Sequence, residues 1–294
     1  MDNLEELYCD VDDFCKQFLP AWKQSLIQSG TKKRQKPGRL TESEVITLLV
    51  LFHQLRFRDF KSFYILYAQK HLTSAFPDLV SYTRMLKLLQ GVMIPLCAYL
   101  PHRYGKPTGI AFVDSTKIAV CHNIRIPRNK VFEGWAERGK GTMGWFYGFK
   151  LHLLVNDTGE VLSVKVTTGN TDDRQPLPDM VQDLWGSLYA DKGYLSQSLT
   201  DELAEKDITF ITTIRKNMKP KLMRLWDRLM LRKRYIIETI IDQLKNQSQI
   251  EHTRHRSPVS FMVHLLAGVI AYTFQPKKPK IRVERGDLKA LMQI

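Results

Sequence analysis

Asp114 stands inside Gly109-Ile110-Ala111-Phe112-Val113-Asp114-Ser115-Thr116-Lys117-Ile118. Apolar residues occupy both alternating sets before it, the pattern of a central strand covered on both faces. An isolated ionised carboxylate in such a place is very costly. It must be protonated, bound to a metal, or paired with a cation such as Lys117 or another basic residue. Asp191 raises the same question at the end of Ser187-Leu188-Tyr189-Ala190-Asp191-Lys192-Gly193-Tyr194. It closes an apolar strand, and Gly193 permits the tight exit a strand end needs. Ligand-binding residues of α/β sheets gather at such ends, although an exposed acid paired with Lys192 fits this segment equally well. The third acid is Glu238, in Arg232-Lys233-Arg234-Tyr235-Ile236-Ile237-Glu238-Thr239-Ile240-Ile241-Asp242-Gln243-Leu244-Lys245. On a helix, Ile236, Ile237, Ile240 and Leu244 form one stripe, and Arg234, Glu238 and Lys245 fall within about 40° of each other on another. Alone, that second stripe is a solvated face with an Arg–Glu i,i+4 pair.

Taken together, the three acids suit a different chemistry. Mg²⁺ prefers carboxylate oxygens, water and substrate phosphate, and two such ions can serve an in-line attack on phosphorus. Asp114, Asp191 and Glu238 supply the ligands for two Mg²⁺ ions, with Mn²⁺ as a substitute. Arg234 and Lys245 supply cations for a nucleic-acid strand. No cysteine or histidine ligand is needed.

The elements that would position these groups follow from periodicity. Period-two patterning begins near Pro107. Strands are predicted over Ile110–Val120, Phe149–Asn156 and Val161–Thr168, the last two joined by the turn Asp157-Thr158-Gly159. A helix over Asp173–Trp185, a strand Leu188–Ala190, a helix Ser196–Lys206, a strand Ile208–Thr212 and a long helix Trp226–Asn246 follow. That order is a meander followed by alternating helices and strands, hence a mixed sheet with helices on its faces. Asp172 and Asp173 read as helix N-caps, and His152 as a hydrogen-bonded structural histidine. The first hundred residues read as helical, interrupted at Pro20 and at the basic loop around Lys32, Lys33 and Arg34. Thr41-x-x-Glu44 has the form of a capping box. Tyr82–Met93 carries Tyr82, Arg84 and Lys87. It is either part of a DNA-contacting helix–turn–helix or the basic face of a plain bundle.

Between the first two strands, residues 122–148 exceed an ordinary hairpin loop. Arg125, Arg128, Lys130, Arg138 and Lys140 alternate there with Trp135, Trp145, Phe146 and Tyr147. On a mobile loop this mixture suits phosphates and unstacked bases; a surface loop with its tryptophans tucked onto the core is the plainer reading. The formal net charge of +14 and pI near 9.6 call for a polyanionic partner. No apolar run reaches membrane-spanning length. The acidic start predicts no secretion signal, and four scattered cysteines predict reduced thiols.

The strand FVDSTKI, the strand end YADKGY and the helix RYIIETIIDQLK resemble the three acid-bearing segments of bacterial insertion-sequence transposases of the DDE type. Arg234-x3-Glu238-x6-Lys245 matches the R-E-K part of the related Y-R-E-K motif, with Leu231 at the tyrosine position. AERGKGTMGWFYGFKLHLLVN and TGNTDDR are similar to segments of the insertion-sequence family numbered nine-eighty-two. The resemblance implies a ribonuclease-H-like α/β catalytic domain at 106–275, a helical DNA-binding region at 1–105 and a basic tail at 276–294. It implies cleavage at the ends of a mobile element and joining of the 3′-hydroxyl to target DNA, with Asp114 and Asp191 as main metal ligands and Glu238 completing the site. Arg234 and Lys245 would hold phosphate oxygens. Partners would be double-stranded DNA (terminal inverted repeats and target) and further copies of the chain, in a bacterial cytoplasm at the nucleoid. A nuclease that cuts without joining, and a non-catalytic DNA-binding derivative, are the alternatives.

Overall fold

The computed structural model describes residues 2–30, 38–141, 144–213, 222–251 and 255–282. Two compact units emerge: Met1–Arg103 with Leu244–Gln275, and Tyr104–Gln243 with Pro276–Ile294. Residues 244–275, placed by sequence with the catalytic domain, therefore belong to the helical unit. Lys32, Lys33 and Arg34 lie outside the described residues.

In the helical unit, the helix Asp2–Gln28 runs straight through Pro20. The expected interruption does not occur; the proline removes one i→i−4 bond without ending the helix. Thr41 and Glu44 form the capping box that starts Glu42–Gln54, with both reciprocal bonds present. Pro258–Thr273 is apolar on nearly every side, and such a helix belongs at the centre of a bundle. It is buried along most of its length. Arg84 is exposed on the helix Tyr82–Gly91, which is followed by Met93–His102. No helix among the described residues is long and apolar enough to cross a membrane.

Within this bundle His53 is buried and lies 2.6 Å, through Nδ1, from the Ser248 carbonyl. A carbonyl only accepts, so Nδ1 carries the proton. His264 Nδ1 stands 3.4 Å from His53 Nε2, and the His255 ring packs 5.1 Å from that of His264. Burial pushes the His53 pKa from 6.5 down to about 4. The unfolded chain therefore binds a proton that the folded one refuses. His53 leaves stability intact above about pH 6.5 and erodes it as pH falls towards 4, at up to about 1.4 kcal/mol per pH unit. We expect thermal unfolding midpoints to drop over that window, and His53→Asn to flatten the drop; an unchanged profile would exclude the histidine as its source.

The second unit is built on one six-stranded sheet. Strand β1 (Ile110–Cys121) pairs antiparallel with β3 (Gly144–Asn156) and parallel with β5 (Gly186–Ala190). The far edge of β3 is shared by β2 (Glu137–Gly141) and β4 (Val161–Thr168), and β6 (Ile208–Thr212) extends the sheet beyond β5. The meander and the parallel strands match the sequence expectation. The loop 122–148 does not: it holds a 3₁₀ helix, Asn123–Arg128, and the β2–β3 ribbon. Arg138 and Lys140 thus sit on a strand, and Phe146 and Tyr147 are buried.

Ala111, Val113, Leu154 and Leu188 turn one face of the sheet towards Leu177, Val181, Leu199 and Leu203. The predicted helix 173–185 contracts to Leu177–Met180. Pro176 and Pro178 limit it, and Asp172 folds back onto Arg174, its carboxylate accepting from the Arg174 amide and guanidinium at 2.6–2.9 Å. Asp172 and Asp173 are accordingly not helix caps. Gly159 in the β3–β4 turn has φ +78°, and a Cβ there would meet the Pro279 carbonyl oxygen at 1.9 Å. The tail lies across this turn, with the Ile281 amide donating to Asp157 O, so its described part is packed against the sheet domain.

Candidate active site

The register of β1 and β5 brings the first two acids together. Phe112 pairs with Tyr189, and their rings stack at 5.5 Å. Asp114 lies two residues further along β1, and Asp191 two residues further on, just past the end of β5. Side chains alternate with period two, so both acids start from the face that carries the aromatic pair. Here β1 has an antiparallel neighbour on one side and a parallel neighbour on the other. Sites in α/β sheets form where strand connections diverge in this way, at the carboxyl ends of strands.

Asp114 Oδ1 accepts from the Ser115 amide at 2.8 Å, and Oδ2 accepts from Arg234 Nη1 at 3.1 Å. Arg234 is a cation that answers the buried acid. Burial pushes the Asp114 carboxyl up to about 6; Arg234 and the Ser115 amide hold it down, and the charge of Asp191 pushes it up again. Asp191 Oδ1 accepts from the Gly193 amide at 2.8 Å and starts the short turn Lys192–Tyr194. A Cβ at Gly193 would fall 2.9 Å from that same oxygen, which explains the glycine. Among the described residues Asp191 forms no ion pair with Lys192.

Arg234 also marks a break. The predicted helix 226–246 is two helices, Leu225–Lys233 and Tyr235–Asn246. At the junction the Ile237 amide donates to Arg234 O, three residues back rather than four. Ile236, Ile237, Ile240 and Leu244 are buried as the stripe predicted. Arg234 extends one guanidinium nitrogen to Asp114 and the other to Glu238 Oε1 at 2.9 Å. The side chains of Asp114 and Arg234 are 21% and 17% exposed, that of Glu238 57%. Glu238 is thus the outer member of a carboxylate–guanidinium–carboxylate chain. Lys245 falls in the helical unit, where its ammonium pairs with Glu251 at 3.0 Å.

Sequence reasoning missed Tyr194. It is buried, and burial together with the charges of Asp114 and Asp173 raises its hydroxyl pKa. Its position three residues after Asp191, in the same tight turn, was the available signal. Lys150 is held by the Thr171 carbonyl at 2.7 Å and by Asp173 at 3.0 Å. His152 is buried with Nε2 2.8 Å from Thr167 Oγ1, and burial pushes its pKa to about 4, as a structural histidine requires. Arg125, Arg128, Lys130, Arg138 and Lys140 are all exposed in the sheet unit, Lys130 beside Glu133 at 3.3 Å.

Two carboxylates that repel each other, one of them largely buried, fit a hard divalent cation, which would neutralise both. The fit is to Asp114 and Asp191. No group of three acidic, histidine or cysteine side chains among the described residues is placed to hold a metal, and Glu238 is engaged by Arg234.

The fold and site together define a mixed α/β domain with two acids where its strands diverge, one of them answered by an arginine. Residues 104–258, just over half of the 294-residue chain, match the family described as the transposase DDE domain, and the chain belongs to that family. DNA is therefore its partner. A comparison with curated proteins found no match.

Proposed function

We propose that the protein is the transposase of a bacterial insertion sequence, of the family numbered nine-eighty-two, with a ribonuclease-H-like catalytic domain. In this reading it cuts phosphodiesters at the element's terminal repeats and joins the freed 3′-hydroxyl to target DNA by in-line phosphoryl transfer. The observation that carries it is the parallel pairing of β1 with β5, close enough for the charge of Asp191 to act on Asp114, with Arg234 bridging Asp114 to Glu238, within a chain of the DDE family.

Asp114 and Asp191 would hold the metal, with Glu238 completing a two-ion site once Arg234 turns to the DNA. Mg²⁺, or Mn²⁺ in its place, supplies activation of the attacking oxygen and charge neutralisation at phosphorus when bound. The protein's own part is positional. The Ser115 and Gly193 amides fix the rotamers of the two aspartates. Arg234 has a planar fork suited to a phosphate, and exchanging Glu238 for a phosphate oxygen keeps it charge-paired. Lys245 and Arg84 are proposed further phosphate contacts, in a cytoplasmic, nucleoid-bound, oligomeric protein.

Incubating the full-length protein with element-end DNA, Mg²⁺ and a target plasmid tests this. Joined products support it; hydrolysis without joining indicates a nuclease, and metal-independent binding without cleavage a non-catalytic protein. Arg125, Arg128, Arg138 and Lys140 supply part of the phosphate contact. Each alanine substitution among them is expected to weaken duplex binding and to flatten the slope of log K against log salt by about 1. Titrations at several salt concentrations check this, and unchanged slopes for all four would remove the ribbon from the DNA interface.

A further inference from the structure

The β2–β3 ribbon has two unlike faces. Gly139 and Phe146 are paired across it and pack against Gly169. On the opposite face Lys140 pairs with Trp145, and Arg138 with Tyr147. Trp145 is 61% exposed, and the Lys140 ammonium lies 5.8 Å from the centre of its ring. The Asn123 side-chain amide donates to the Trp145 carbonyl at 2.8 Å. This bond ties the 3₁₀ helix bearing Ile124 (81% exposed), Arg125 and Arg128 to the same end of the ribbon. Among the described residues no carboxylate pairs with Arg125, Arg128, Arg138 or Lys140. A large aromatic surface is thus held open to solvent on a hydrogen-bonded ribbon, with the Lys140 ammonium beside it and exposed arginines on the same ribbon and the tied 3₁₀ helix. Burying Trp145 against the sheet would have been the ordinary use of the indole.

Inside a duplex DNA offers phosphates to the cations but no free base face to the indole, because each pair is stacked between its neighbours. An unpaired nucleotide offers both. We propose that Trp145 is a stacking platform for an unpaired base of the DNA strand, with Lys140, Arg138 and Arg125 holding the phosphates that flank it. The proposal rests on the reading of the protein as a DNA-end-processing enzyme and adds a preference for ends that are frayed, bulged or single-stranded. Stacking of one base on an aromatic side chain strengthens binding by about fivefold to a hundredfold.

The test uses the full chain without divalent metal, so that no probe is cut. Three fluorescent probes are compared: an element-end duplex, the same duplex with two unpaired thymines at its end, and a thymine dodecamer. The wild type is expected to prefer the tailed duplex to the blunt one by about tenfold. Trp145→Ala should abolish this preference and leave blunt-duplex affinity within about twofold, while Trp145→Phe keeps most of it. Quenching of tryptophan fluorescence by the dodecamer should be lost in Trp145→Ala. If the wild type shows no preference while binding the blunt duplex, the stacking proposal fails and the transposase reading stands. If it binds none of the probes, the transposase reading fails as well. Equal loss on all probes in Trp145→Ala, with an unchanged circular dichroism spectrum, would make Trp145 a general DNA contact and overturn the proposal. So would a fall in oligomer size on sedimentation, which would mark the patch as a contact between copies.

Discussion

Asp114→Asn is expected to leave DNA binding nearly unchanged and to lower cleavage of element ends by about a thousandfold or more, the loss of several kcal/mol of transition-state stabilisation. The amide keeps the shape of the side chain. It can still accept from the Ser115 amide, so the strand and its register with β5 survive. What it lacks is the charge needed to share a divalent ion with Asp191. Cleavage and binding are separable because the exposed cations of the β2–β3 ribbon and its 3₁₀ helix do not depend on Asp114. Gel-based cleavage assays alongside anisotropy titrations read the two effects independently. Cleavage at the wild-type rate would exclude Asp114 from the metal site, and joint loss of binding and cleavage would point to a folding defect.

The second large effect is expected at Arg234. Removing one partner of a buried ion pair leaves the other charge uncompensated, typically at a cost of about 3–5 kcal/mol. Arg234→Ala strips Asp114 of the guanidinium that answers its burial and frees Glu238. We expect stability to fall by about 3 kcal/mol, read as a lower denaturant midpoint at constant slope. Adding Asp114→Asn to this variant should restore most of the loss, since no buried charge then remains. Arg234→Lys should recover part of the stability but not cleavage, because an ammonium lacks the fork that serves two acceptors in fixed geometry. A double variant no more stable than Arg234→Ala alone would show that the arginine acts through packing rather than through Asp114.

These two residues also show how far the sequence could be read. The need of Asp114 for a partner was legible because a carboxylate among Ala111, Phe112 and Val113 conflicts with its strand, and Arg234 meets that need. Asp191 was legible by the same logic, and their shared register followed once β1 and β5 were seen to run parallel. The break at Arg234 left no local trace. Neither glycine nor proline lies between Arg232 and Ile237, and its tie to Asp114 spans 120 residues. The β2–β3 ribbon was hidden because β2, Glu137-Arg138-Gly139-Lys140-Gly141, carries no apolar side chain, so no alternation of apolar residues announced a strand. Leu177, Met180, Val181 and Leu184 carry helical spacing and are buried as a helix face would be, yet the chain there is mostly turns, held by two prolines and the Asp172–Arg174 clasp. The joining of residues 244–275 to the N-terminal helices rests on contacts such as His53 with Ser248, which no local pattern encodes.

The central claim is that Asp114 and Asp191 share a divalent cation while DNA is bound. Anomalous scattering from crystals of the protein with element-end DNA and Mn²⁺ tests it most directly. The expected result is a manganese peak bonded to carboxylate oxygens of both aspartates, with Arg234 turned from Glu238 to a phosphate. A peak at Asp172 and Asp173 instead, or no peak between Asp114 and Asp191 with DNA in place, would contradict it.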